Sequence, residues 1–176
     1  MMLFIVLGVL LTIILIVAIA IFVRMPKVLK IMRSQVIHAS PEKLFPYINN
    51  SRRIQEWNPF IEGDATVELT YTGPAEGLGA QWTWSGSKSG AGMATITASE
   101  QNRRVALRLD FRRPFKVTNF GEYSLAPQGA VTEVTWLIDE TASLPRAMSV
   151  FINLEKIVGI EFEKGLRKLK SLAENG

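Results

Sequence analysis

The sequence predicts an α+β chain: one antiparallel sheet of seven strands wraps round a long C-terminal helix, two short helices follow the first strand, and a membrane-spanning helix comes first. Three observations predict it. From about Pro145 to Ala173, the residues Phe151, Leu154, Val158, Phe162, Leu166, Leu169 and Leu172 recur at three- and four-residue steps. Lys156, Glu163, Lys164, Arg167, Lys168 and Lys170 fill the opposite side. Between Ala65 and Glu140 apolar and polar residues mostly alternate with period two, so the helix has a sheet against which to bury its stripe. From Leu3 to Val23 there is no charged residue.

That first run, residues 1–23, reads as a transmembrane anchor, because at about 1.5 Å per residue it spans roughly the 30 Å of a bilayer's hydrocarbon core. A cleaved signal peptide is the competing reading, since Ala18, Ile19 and Ala20 have the A-x-A form. Against it, no basic residue precedes the run, and the apolar stretch continues past Ala20. Arg24, Lys27, Lys30 and Arg33 follow directly, and the first acidic residue is Glu42. The positive-inside rule then predicts a single-pass protein of the cell membrane, N-terminus outside and globular domain in the cytoplasm. Residues 24–29 form a short basic linker and 30–176 the domain.

Within the domain, Lys30 to Ala39 reads as the first strand. Ser40 as N-cap and Pro41 at the first helical position open a helix to about Asn49, with Leu44, Phe45 and Ile48 on its buried face and Pro46 bending it. A second short helix near Ser51 to Glu56 leads to Trp57, Asn58, Pro59 and Phe60. Six strands follow. Ala65 to Thr72 carries Val67, Leu69 and Tyr71 on one face, and Gly73, Pro74, Gly77 and Gly79 mark the turn after it. Ala80 to Ser85 sets Trp82 and Trp84 together. Gly92 to Ser99 alternates ambiguously, with Ala94 and Ile96 read as inward. Arg104 to Arg112 is the clearest strand: Val105, Leu107, Leu109 and Phe111 share one face, and Arg104, Arg108, Asp110 and Arg112 the other. Phe115 to Ala126 turns Phe115, Val117, Tyr123 and Leu125 inward, and Val131 to Glu140 does so with Val134, Trp136 and Ile138. Ser143 caps the final helix, with Pro145 in its first turn. Gly159 and Gly165 let that helix bend or let the sheet approach it closely.

Composition narrows the chemistry. The 176 residues include no cysteine and a single histidine, His38, which removes thiol catalysis, cysteine zinc sites and any multi-histidine metal centre. No metal and no cofactor is expected. There is no G-x-S-x-G elbow, and Gly77 and Gly79 are not followed by the G-K-[ST] of a phosphate loop. The net charge of +4 suits a domain beside anionic lipid, so the membrane is an expected partner. Nucleic acid is not, because the basic residues are not interleaved with aromatics. Arg103, Arg104, Arg108, Arg112, Arg113 and Lys116 make a basic strip, read first as a solvated outer face and otherwise as a contact for phospholipid headgroups.

The order of elements and several short motifs resemble the START-like, helix-grip superfamily, also called SRPBCC, and especially its polyketide cyclase/dehydrase and lipid transport branch. The likeness is carried by residues 37–48, by Glu56-Trp57-Asn58-Pro59-Phe60, and by Tyr71-Thr72-Gly73-Pro74 with Gly77 and Gly79. Asp110-Phe111, Pro114-Phe115, Val134-Thr135-Trp136 and Phe162-Glu163-Lys164-Gly165-Leu166 continue it. It covers essentially everything after Lys30. The resemblance implies a seven-stranded antiparallel sheet gripping a C-terminal helix, and a hydrophobic molecule such as a sterol, lipid or polyketide between them. It implies no shared catalytic residue.

The candidate pocket is drawn from the aromatic load and the inward strand faces: Trp57, Phe60, Trp82, Trp84, Leu107, Leu109, Phe111, Tyr123 and Trp136, with Phe151, Leu154 and Val158 from the helix. Tyr71, Tyr123 and Asn119 are the polar groups placed to orient a ligand. Three readings stay open. One is a membrane-anchored domain binding a hydrophobic small molecule or lipid. Another is a cyclase- or dehydratase-type enzyme using Glu56, Tyr71 or Tyr123 for proton transfer. The third is an interaction module whose aromatics fill a solid core.

Overall fold

The computed structural model describes residues 2–24, 28–141 and 154–176, with side chains described for 6–20, 30–139 and 155–176. Helix α1 (Met2–Arg24) comes first, then strand β1 (Val28–Ile37), three short helices, six further strands, and the long helix α5 (Leu154–Asn175). The short helices are α2 (Pro41–Asn49), α3 (Ser51–Gln55) and α4 (Pro59–Glu62). The strands are β2 (Glu68–Thr72), β3 (Gln81–Ser85), β4 (Ala91–Glu100), β5 (Arg104–Arg113), β6 (Val117–Gln128) and β7 (Val131–Thr141). All seven form one antiparallel sheet in the order β1-β7-β6-β5-β4-β3-β2, the helix-grip arrangement expected.

The membrane span expected at 1–23 is corrected by the structure. Among the described residues no helix is long and apolar enough to cross a membrane. With the span falls the expected membrane anchoring. The basic flank reads differently too. Arg33 belongs to the inward face of β1, where its Nη2 donates to Glu155 at 2.7 Å and its Nε to Glu163 at 2.9 Å, both on α5. Lys30 pairs with Asp139 on β7 at 3.5 Å. The side chains of Arg24 and Lys27 lie outside those described.

Each short helix starts where an Asn or Ser meets helical geometry. Pro41 follows Ser40; the Asn50 side chain accepts from the N–H groups of Arg52 and Arg53; the Asn58 side chain accepts from Phe60 N–H, with Pro59 at the first helical position. The last of these, α4, goes beyond the two short helices expected, and it lies where the chain comes under α5. The ambiguous strand, β4, buries Ala94 and Ile96, and register shifts at Ala91/Gly92 and Ile96/Ala98 break its alternation. Ser143, Pro145 and Phe151, expected at the start of the long helix, lie outside the described residues.

The core sits between the concave face of the sheet and α5. Ile31, Ile37, Val105, Val134, Phe162, Leu166 and Leu169 are among its fully buried residues. Two glycines let α5 come close. A side chain at Gly165 would meet Pro59 Cδ and the Trp136 ring at 3.0 Å and the Trp57 carbonyl oxygen at 3.2 Å. One at Gly159 would occupy the place of the Arg33 guanidinium. The outer face carries the charges: Arg104 pairs with Glu100 and Glu122, and Arg108 with Asp110, so much of the basic strip is neutralised on the sheet itself.

Candidate functional site

Strand phase decides which side chains face α5. On β6 the odd positions Asn119, Gly121, Tyr123 and Leu125 are buried, as are Val105 and Leu107 on β5. α5 does not press down on this face along its whole length. Between them lies a cavity of about 740 Å³, bounded also by α4 and the β3–β4 turn.

One end of the cavity is a wall of interlocked rings. Trp57 is fully buried, and its indole N–H donates to the Tyr47 carbonyl oxygen at 3.0 Å, which fixes the ring. It meets Tyr123 and Trp136 edge-on with centroids 5.3 Å apart, and Trp136 stacks on Phe162 from α5 at 3.9 Å. Such contacts add about 0.5–1.5 kcal/mol each beyond burial. Beyond this wall the lining turns to Leu107, Leu109, Ile138 and Val158, with Trp82, Trp84 and Phe111 along the β3–β5 side. Trp84 packs edge-on against Phe111 at 5.3 Å, and its indole N–H donates to Ser89 O at 3.2 Å. Phe60, on α4, is 41% exposed and stands at the rim.

The rim is polar and largely self-compensated. Lys168 on α5 pairs with Glu62 on α4 at 3.0 Å, and Lys164 with Glu161 at 2.6 Å. Asp64 is buried and ties the β3–β4 turn to the end of α4. One of its oxygens accepts from the backbone N–H groups of Lys88 at 2.7 Å and Ser89 at 2.8 Å, and the other from the Thr66 hydroxyl at 2.6 Å. These donors, led by the Thr66 hydroxyl, hold its carboxyl well below the usual carboxylate range.

The candidate residues therefore separate. Trp57, Phe60, Trp82, Trp84, Leu107, Leu109, Phe111, Asn119, Tyr123, Trp136 and Val158 all border the cavity. Phe151 and the Leu154 side chain lie outside what is described. Two of the three proton-transfer candidates are elsewhere. Glu56 is exposed at the end of α3, 3.9 Å from Arg53. Tyr71 is on the edge strand β2 with the Arg52 guanidinium 4.3 Å from its ring centre, and it does not border the cavity. Burial pushes the phenols of Tyr71 and Tyr123 up. Sequence reasoning missed Asp64, although the Asp-x-Thr spacing is an Asx-turn signal. It also missed Gly121, whose bare backbone borders the cavity mid-strand.

Known proteins agree with this architecture. The sequence profile of the family described as polyketide cyclase / dehydrase and lipid transport matches residues 28–174. Among solved structures, protein MLL2253 from Mesorhizobium loti is similar with a TM-score of 0.62 at 15% identity, covering 84% of this chain and 98% of its own. Protein CV1439 from Chromobacterium violaceum gives 0.58 at 15% identity over 85% of this chain and 99% of its own. CalU16 from Micromonospora echinospora gives 0.56 at 17% identity over 82% and 75%. At these identities the likeness is one of fold. No curated protein matches the chain.

Proposed function

The chain belongs to the polyketide cyclase / dehydrase and lipid transport family, and on that premise we propose that it holds a hydrophobic small molecule or lipid between the sheet and α5. The observation that carries this is the cavity of about 740 Å³ walled by Leu107, Leu109, Phe111, Ile138 and Val158. Ligand pockets run from roughly 300 to 1,000 Å³ with mostly apolar walls and few polar groups. The interlocked rings of Trp57, Tyr123, Trp136 and Phe162 fill one end only, which disfavours the solid-core reading. The enzyme reading is left with Tyr123, a phenol that burial holds protonated, and so a poor base at neutral pH.

Titration of the full chain with an apolar fluorescent probe tests the proposal. Because α1 itself exposes apolar side chains, the control is Gly121→Leu. A Cβ there meets nothing closer than 3.6 Å, and Gly121 borders the cavity. Saturable binding that Gly121→Leu abolishes is the expected result. Equal binding by both proteins would show that the probe sits elsewhere and sink the reading.

A further inference from the structure

Among the described residues, five aromatic side chains with a polar tip border the cavity: Trp57, Trp82, Trp84, Trp136 and Tyr123. Such a tip ordinarily finds a hydrogen-bond partner when it is buried. Trp57 and Trp84 do, each on a backbone carbonyl oxygen. The indole N–H groups of Trp82 and Trp136 and the Tyr123 hydroxyl find none among the described residues, although these residues are only 4%, 7% and 3% exposed. They are not sealed in either. Among the described residues, the one fully enclosed side-chain nitrogen or oxygen without a partner is Asn119 Oδ1. The three unpaired donors therefore keep some accessible surface, and residues so deeply buried keep it toward the cavity they border.

The polarity of this set is one-sided. An indole can only donate, and burial keeps the phenol protonated, so Tyr123 too has a hydrogen to give. Water is a poor answer, because it brings two hydrogens of its own. The rings packed on these groups, Trp57 on Tyr123 and Phe162 on Trp136, offer those hydrogens no strong acceptor. Tyr123 and Trp136 are cross-strand neighbours with ring centroids 5.4 Å apart, whereas Trp82 lies three strands away on β3, about 14 Å across the sheet. We propose that the ligand is an apolar body bearing an acceptor oxygen, as in a ketone, ester or ether, and that the Tyr123 hydroxyl donates to it; this deepens the cavity reading and rests on it. Trp136 and Trp82 supply further donors for a second oxygen. A bare hydrocarbon filling the cavity leaves these donors without a partner, so the wall selects against it by chemistry as well as by shape.

The test uses two probes of nearly the same shape, 2-acetylnaphthalene and 2-isopropenylnaphthalene, which differ by an oxygen in place of a methylene group. Both are titrated into the full chain, with Gly121→Leu defining cavity binding. The wild type is expected to bind the ketone about tenfold more tightly, and the carbonyl stretch of the bound ketone should lie below its value in a hydrocarbon solvent. Tyr123→Phe should erase the preference by weakening the ketone alone and return the stretch toward the hydrocarbon value. Its melting temperature should not fall, since the hydroxyl it removes has no partner among the described residues. Equal wild-type affinities for the two probes, which need no variant to measure, overturn the acceptor assignment and leave the cavity reading standing. A preference or a lowered stretch that survives in Tyr123→Phe overturns it as well. Binding of neither probe overturns both.

Discussion

The Arg33 guanidinium passes α5 where Gly159 has no side chain, and from there reaches Glu155 at 2.7 Å and Glu163 at 2.9 Å. Strand and helix are thereby clasped by one cation between two carboxylates, each of them partly exposed. Substituting Gly159→Ala sets two effects against each other. Alanine favours the helix by about 1 kcal/mol, but its methyl displaces the guanidinium. In an Arg33→Ala background only the first effect remains, so Gly159→Ala should stabilise by about 1 kcal/mol there and by clearly less in the wild type. A double-mutant cycle by urea unfolding measures the coupling. Additive effects would mean the arginine adjusts freely.

Gly165 is less forgiving, because the atoms around it are a proline ring, a tryptophan ring and a backbone carbonyl oxygen rather than a movable side-chain end. Gly165→Leu should cost about 2–3 kcal/mol by overpacking. The loss is read from the urea midpoint, and it should come with a change in near-ultraviolet circular dichroism as Trp136 shifts.

Asp64 carries the acid sensitivity of the cavity rim. Its folded pKa lies below the ordinary aspartate value of 3.8. Its contribution to stability is therefore fully present above about pH 4 and is lost as pH falls from there through the depressed folded value. Asp64→Asn turns an amide donor toward the Lys88 and Ser89 N–H groups or the Thr66 hydroxyl. It should lower the melting temperature by several degrees at pH 7 and flatten its dependence on pH below 4. An unchanged slope would place the acid transition elsewhere.

At Gly121 the opposite sign is expected. A strand-interior glycine weakens a sheet by roughly 0.5–1 kcal/mol, and here a Cβ meets Leu137 O, Leu107 and Leu109 at ordinary contact distances of 3.6–3.8 Å. Gly121→Leu should raise the melting temperature while it closes the cavity to probe. A variant that is less stable and still binds would contradict the geometry on both counts.

The sheet was legible because strand phase is written in the sequence. Val105, Leu107 and Leu109 face α5 as their alternation says, and β4 was obscure only where bulges shift its register. Lateral position was not legible. Tyr71 has the inward phase, but it sits on the edge strand β2, one strand beyond Trp82 and Trp84, and does not border the cavity. Arg33 looked like part of a basic flank because a linear charge count ignores that residues 31, 33, 35 and 37 share one face of β1. Helix α4 had a visible cap and proline in Asn58-Pro59, yet one turn is too short to show periodicity. The unpaired Asn119 oxygen had no signal at all, because satisfaction of a buried atom is a property of its neighbours in space.

The register that sets Val28 opposite Thr141 and Ile37 opposite Thr132 has a kinetic consequence. Among the described strands, the first to leave the ribosome finds its one sheet neighbour in the last strand made, so closing that pair costs the entropy of a loop of about half the chain. Refolding should accordingly be slow for a protein of this size, and β1 waits, edge exposed, until synthesis is almost finished.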